Sequence, residues 1–130
     1  MESILSRVMR VLEQLPAHAE ARQDKMPSAL VSVVYPSGPD AKFDLDYYNA
    51  THIVLVKEKW AKYGLKQYWV ADLRPSGGPY LIQTTMVWES LEGFQKAAAS
   101  AESASVFADV PNFTNSKPVV LSGEVTSSSD

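Results

Sequence analysis

The sequence predicts an α+β domain of ferredoxin-like β-α-β-β-α-β order, with an antiparallel four-stranded sheet and both helices on one face. Three observations lead there. Four short segments are rich in β-branched and aromatic residues, and two longer segments carry apolar residues at helical spacing. Each helical segment opens on a capping residue, and loops bearing Gly or Pro separate the elements.

The first strand is "SALVSVVYP", residues 28–36, closed by a proline that cannot continue a ladder. The loop "SGPDAK" follows. Asp44 then caps a helix expected over residues 45–63, Asp46 adds negative charge to its first turn, and Gly64 supplies a left-handed exit. "LKQYWVADL", residues 65–73, is the second strand. "YLIQTTMVWES", residues 80–90, is the third; Leu81, Gln83, Thr85 and Val87 face one way, and Ile82, Thr84, Met86 and Trp88 the other. Ser90 caps a second helix, "LEGFQKAAASAES", and a short helical turn is expected around "SVFADV". "VVLSGEV", residues 119–125, is the last strand, and "TSSSD" a frayed tail.

Helices on one face leave the other face of the sheet bare. Either side of the third strand carries large apolar residues, each worth roughly 1.5–3 kcal/mol when buried. A homodimer with two sheets face to face, enclosing a barrel, meets that need.

Composition narrows the function classes. The 130 residues form one ordinary domain, and 45% apolar with 21% charged residues describes a globular chain. A net charge of −3 with scattered basic residues speaks against nucleic acid as a partner. The absence of cysteine removes disulfides, thiolate metal sites and a cysteine nucleophile. No apolar run is long enough for a membrane span. Residues 1–25 are read as an extension, an amphipathic helix with Ile4, Val8, Val11, Leu12 and Leu15 on one stripe, followed by a polar linker that holds His18. Glu2 and Glu13 argue against a targeting peptide, so a cytoplasmic location is expected, and the sequons at Asn49 and Asn112 are read as coincidence. The domain proper is residues 26–130.

Several stretches resemble the EthD family, named for ethyl tert-butyl ether degradation. They are "VSVVYPSGPDAKFDLDYYNATHIVLV", "YGLKQYWV", "TTMVWESLEGFQKA" and "DVPNFTNSKPVVLSGEV". The most specific are the F-D-x-D-Y-Y-x-x-x-H run and the D-V-P-N-F-T-N run. The resemblance covers about residues 29–125 and implies a dimeric α+β barrel. Met26 stands where many of these proteins begin. Some relatives in polyketide pathways are decarboxylases or cofactor-free oxygenase-like enzymes. The family's usual Met-Pro-Leu after the histidine is replaced here by Ile53, Val54 and Leu55, so the helix is expected to run on unbroken.

His52 fits two roles. Leu45, Tyr48, His52, Val56, Trp60 and Tyr63 share one stripe of the helix, with Tyr48 and His52 as i,i+4 neighbours, while Tyr47, Thr51 and Val54 point away. As a catalytic group His52 is a general base or acid, with Tyr48 or Tyr47 orienting a substrate or donating to an oxyanion. As a structural group it hydrogen-bonds Tyr48 or a backbone carbonyl at the edge of the core. Trp60, Trp69, Gln83, Thr85 and Trp88 are the expected substrate-binding residues, aromatic and polar groups suited to a flat hydrophobic ligand. No metal site is expected, because one histidine and two diverging aspartates make no ligand cluster. Related barrels hold haem, but no residue beyond His52 marks such a site, and no cofactor is expected.

The expected function is cofactor-independent lyase-type chemistry, decarboxylation, dehydration or cyclisation, on an aromatic or polyketide-like small molecule. The alternatives are a cofactor-free oxygenase (an oxidoreductase) of the same superfamily and a non-catalytic, ligand-binding or stress-associated dimer.

Overall fold

The computed structural model describes residues 28–129. The expected N-terminal helix, the linker with His18, and Met26 lie outside the described residues. Strands β1 (Ala29–Pro36), β2 (Leu65–Asp72), β3 (Tyr80–Trp88) and β4 (Val119–Glu124) form one sheet in the order β2-β3-β1-β4. Every pair is antiparallel. This is the ferredoxin-like arrangement that the element order predicts.

Helix α1 is composite. An α-turn at Leu45–Tyr47 passes into a π-helical turn at Tyr48–His52, an α segment at Ile53–Trp60 and a 3₁₀ turn at Ala61–Tyr63. Its ends follow the sequence signals. The Asp44 side chain accepts from the Tyr47 N–H at 3.0 Å, and Gly64 leaves the helix at φ +112°. The helix does run on through Ile53–Leu55 as expected from the missing proline. The π-helical turn just before was not foreseen: the Ile53 N–H reaches back to the Tyr48 carbonyl, one residue further than an α-helix allows.

Helix α2 (Leu91–Ala99) is capped by the Ser90 side chain, which accepts from the Gly93 N–H at 2.9 Å. It stops short of the expected end because Ser100 turns extended, at ψ 156°, and its hydroxyl donates to the Ala97 carbonyl at 2.6 Å. A separate helix, α3 (Ser103–Ala108), follows, with a 3₁₀ turn at Val110–Asn112. Gly93 lets α1 and α2 meet: a Cβ there would stand 2.3 Å from the Tyr63 carbonyl oxygen.

Ala29, Val31, Ile82, Met86 and Trp88 on the covered face pack against Tyr48, Ile53, Val56 and Trp60 of α1, with Ala97 and Val106 closing the side. At one end Trp88 lies against Trp60 and Phe94, with ring centroids 5.8 and 5.3 Å away. The Trp60 indole N–H is satisfied by the Ser103 hydroxyl at 3.0 Å.

The other face of the sheet carries Leu30, Val34, Leu81, Val87, Val119 and Leu121, interspersed with Ser32, Gln83 and Thr85. Strand pairing sets this alternation, for example Leu30↔Val87, Ser32↔Thr85 and Ser32↔Leu121. Among the described residues no helix covers it. Trp69 and Leu121 are both 55% exposed there.

Candidate functional site

The site is built where the two most specific runs of the sequence dock on each other. Phe43 bridges to Thr114, and the Asp44 N–H donates to the Phe113 carbonyl at 2.8 Å. The Thr114 hydroxyl donates to the Lys42 carbonyl at 2.6 Å, and Asn115 accepts from the Lys42 N–H at 2.8 Å. Phe113 then inserts among Tyr35, Phe43, Tyr48 and His52, with its ring centroid 4.5 Å from the imidazole. These contacts hold the start of α1 against the turn that follows α3.

Asp109 stands in that turn and collects three donors. Tyr47 Oη donates to its Oδ1 at 2.6 Å, Asn112 Nδ2 to the same oxygen at 2.9 Å, and His52 Nδ1 lies 2.9 Å from Oδ2. Burial by itself would raise the Asp109 pKa. The hydrogen bonds from Tyr47, Asn112 and His52 outweigh it and hold the carboxyl below its usual value. An ionised carboxylate only accepts, so His52 Nδ1 must be the donor, and the neutral ring keeps its lone pair on Nε2.

His52 is only 3% exposed. Burial lowers its pKa below 6.5 despite the opposing pull of Asp109, so the ring is neutral at pH 7. Tyr47 moves the other way: donation to Asp109 raises its pKa. The Tyr48 ring stacks on His52 with centroids 5.2 Å apart and planes at 30°.

Below His52 the Tyr48 hydroxyl meets the Thr84 hydroxyl of β3 at 2.5 Å and also bonds Tyr35 of β1. Burial raises the pKa of both tyrosines, so neither ionises near neutrality. Between sheet and helices lies a cavity of about 290 Å³. His52, Tyr48, Tyr35 and Thr84 supply its polar groups. Val33, Val56, Trp60, Met86, Phe94 and Val106 form much of its apolar wall, and Phe107, Pro118 and Val120 stand at one side. Phe107 is 54% exposed, which marks that side as the mouth.

Of the residues expected to act together, the structure joins His52, Tyr48 and Trp60 at this cavity and ties Tyr47 to it through Asp109. Trp88 is buried beside Trp60, outside the cavity wall. Trp69, Gln83 and Thr85 lie on the uncovered face of the sheet, on the far side from His52; Trp69 pairs with Thr85 across β2 and β3. Sequence reasoning grouped them with Trp60 and Trp88 as substrate-binding residues, but among the described residues their surface does not reach the cavity. Asp109, Tyr35 and Thr84 were not singled out. The signal for Asp109 was the D-V-P-N-F-T-N run itself, which opens on a carboxylate. Among the described residues no cluster of His, Asp and Glu is arranged to hold a metal ion, and no helix is long and apolar enough to cross a membrane.

An EthD-like protein from Ralstonia eutropha JMP134 superposes with a TM-score of 0.65 at 26% identity, over 78% of this chain and 96% of that one. The chain is thus similar in fold, and at 26% identity in sequence, to an EthD-like protein. A protein of the ethyl tert-butyl ether (EthD) family from Bacillus halodurans C-125 shares the fold at TM-score 0.58 and 19% identity, over 76% of this chain and 99% of its own. So does a protein of unknown function from Nitrosomonas europaea, at TM-score 0.55 and 16% identity, over 79% and 93% of the two chains. No family model and no curated protein matches the sequence.

Proposed function

We propose that this EthD-like chain is a small-molecule enzyme in which His52 acts as general base and then general acid, without a cofactor. The carrying observation is the His52 imidazole, oriented by Asp109 at 2.9 Å and placed in the wall of an apolar cavity of about 290 Å³. A neutral imidazole held in one tautomer by a carboxylate is the arrangement a proton-transfer catalyst needs, and such a base contributes typically 10²–10⁴-fold. Asp109 steadies the imidazolium that forms when Nε2 takes a proton.

Lyase-type chemistry on an aromatic or polyketide-like compound suits this pair. In dehydration or cyclisation Nε2 removes a proton from an activated carbon or a hydroxyl, and the same proton returns to the leaving oxygen or the product. In decarboxylation Nε2 first takes the proton of the substrate's carboxylic acid, and the imidazolium returns it to the electron pair left on carbon as CO₂ departs. In this reading Thr84 donates to the Tyr48 hydroxyl, and Tyr48 gives its own O–H to an oxygen that gains charge. A cofactor-free oxygenase would use the same base to form the substrate anion, with dioxygen as oxidant.

The active form is a homodimer joined through the uncovered face of the sheet, where Leu30, Trp69 and Leu121 are exposed in the single chain. A carrier without turnover is the second reading, favoured by the almost wholly apolar wall. One experiment separates the two. Purified protein is incubated with a small-molecule extract of the source organism, and depletion is followed by mass spectrometry. The wild type should consume a compound that His52→Ala and Tyr48→Phe leave intact. Equal consumption by wild type and both variants ends the catalytic role of His52; binding without consumption by the wild type supports the carrier.

A further inference from the structure

Among the described residues the walls of the cavity are uncharged: no Asp, Glu, Lys or Arg lines it, and its titratable groups are His52, Tyr35 and Tyr48. A negative charge, that of Asp109, touches His52 from behind. A carboxylate brought into this space would lose its water, meet no cation, and face a like charge across one imidazole ring. Buried ions without a partner are strongly disfavoured.

Hydrogen-bond polarity narrows the guest further. Because Asp109 accepts from Nδ1, the other ring nitrogen of His52 presents a lone pair and seeks a donor. The Tyr48 and Thr84 hydroxyls already bond each other. A ligand O–H is therefore the complement to His52.

Size sets the rest. An apolar protein cavity of roughly 150 Å³ accepts benzene. At about 290 Å³ this one has room for a body near twice that size.

We propose that the cavity selects a compact, uncharged aromatic hydroxy compound, a phenol or enol, whose O–H donates to His52 Nε2, and that it rejects carboxylates. This deepens the proposed function, because it rests on the same cavity being the ligand site. Within the lyase-type reactions it favours dehydration or cyclisation over decarboxylation.

Isothermal titration calorimetry on the full chain at pH 7 tests the idea with three probes of one shape: 2-naphthol, 2-methoxynaphthalene and 2-naphthoate. Naphthol is expected to bind about tenfold or more tighter than naphthoate, for want of a cation. It should bind about fivefold tighter than the methyl ether, which lacks the donor. Asp109→Asn removes the opposing charge and should raise naphthoate affinity relative to naphthol by about threefold or more. Circular dichroism confirms that the variant is folded, and Glu92→Gln, at an exposed carboxylate of α2 outside the cavity wall, serves as a second variant that removes a charge yet leaves the naphthoate penalty in place.

Naphthoate binding as tightly as naphthol, or no binding of either neutral probe, overturns the proposal. The outcome is separable from that of the catalytic role. If His52→Ala leaves turnover unchanged while naphthol still outbinds naphthoate in the wild type, the base is lost and the selectivity stands. If His52→Ala abolishes turnover while naphthoate binds as well as naphthol, the base stands and the selectivity falls.

Discussion

The two faces of the sheet are made from nearly the same kinds of residue and meet opposite fates. On the covered face Val31, Ile82, Thr84 and Met86 lie under α1, α2 and α3, and the gap between them is the cavity beside His52. On the uncovered face Leu30, Ser32, Gln83, Thr85, Trp69 and Leu121 make an apolar, polar-speckled surface that no other described element covers. The difference teaches that alternation along a strand separates two faces without saying which holds the chemistry. What decides is which face receives a titratable side chain from across the fold.

The comparison can be broken by substitution on each side. The largest effect is expected on the covered face: His52→Ala should lower kcat/KM for the substrate by about 100-fold or more, the usual worth of a general base. Asp109→Asn should cost less, about tenfold or more, through a lost orientation of the imidazole and a less stabilised imidazolium. On the uncovered face Leu121→Lys should convert a dimer to monomer in size-exclusion chromatography with light scattering. The side chain is exposed within one chain, so the monomer should stay folded. A Leu121→Lys protein that remains dimeric means the face is not the interface.

Smaller effects sharpen the contrast. Gly93→Ala, at the α1–α2 contact, should destabilise by about 1–3 kcal/mol in urea denaturation, because the methyl group meets the Tyr63 carbonyl oxygen and not a yielding side chain. Thr84→Val should cost about 1 kcal/mol, since Tyr48 loses one of its two hydroxyl partners.

The pH dependence follows from the directions of the shifts. His52 has a folded pKa below 6.5, so the unfolded chain binds a proton more readily than the native one in the window beneath 6.5. Its contribution to stability is present above pH 6.5 and is lost as pH falls through the depressed folded value. Asp109, also depressed, has the same sign, with its contribution present above 3.8 and lost as pH falls through its lower folded value. The acid limb of kcat/KM should accordingly report a pKa below 6.5 and move upward in a variant that exposes the imidazole.

Local signals in the sequence carried the elements far. Asp44, Ser90 and Gly64 act as the caps and exit their types suggest, and α1 spans the expected residues. The strands begin and end within a residue or two of expectation because proline, glycine and β-branched runs act through short-range sterics. The site was legible only in half. Tyr48 and His52 share a helix, so spacing reveals them together. Asp109 is 57 residues from His52 in the chain, and their meeting depends on Phe113 docking beside Phe43, which no window of sequence contains. The π-helical turn was hidden for a related reason: it trades regular helix bonds for the stacked Tyr48–His52 pair and its tertiary contacts.

Strand β4 belongs to both worlds. Val120 turns inward to the cavity mouth, while its neighbours Val119 and Leu121 turn outward to the uncovered face. A rigid ribbon cannot shift one side chain without swinging the next, so a guest that crowds Val120 displaces the outer surface too. If a guest fills the inside and a second copy covers the outside, the two events would share this edge strand, and any coupling between them would be equal in both directions.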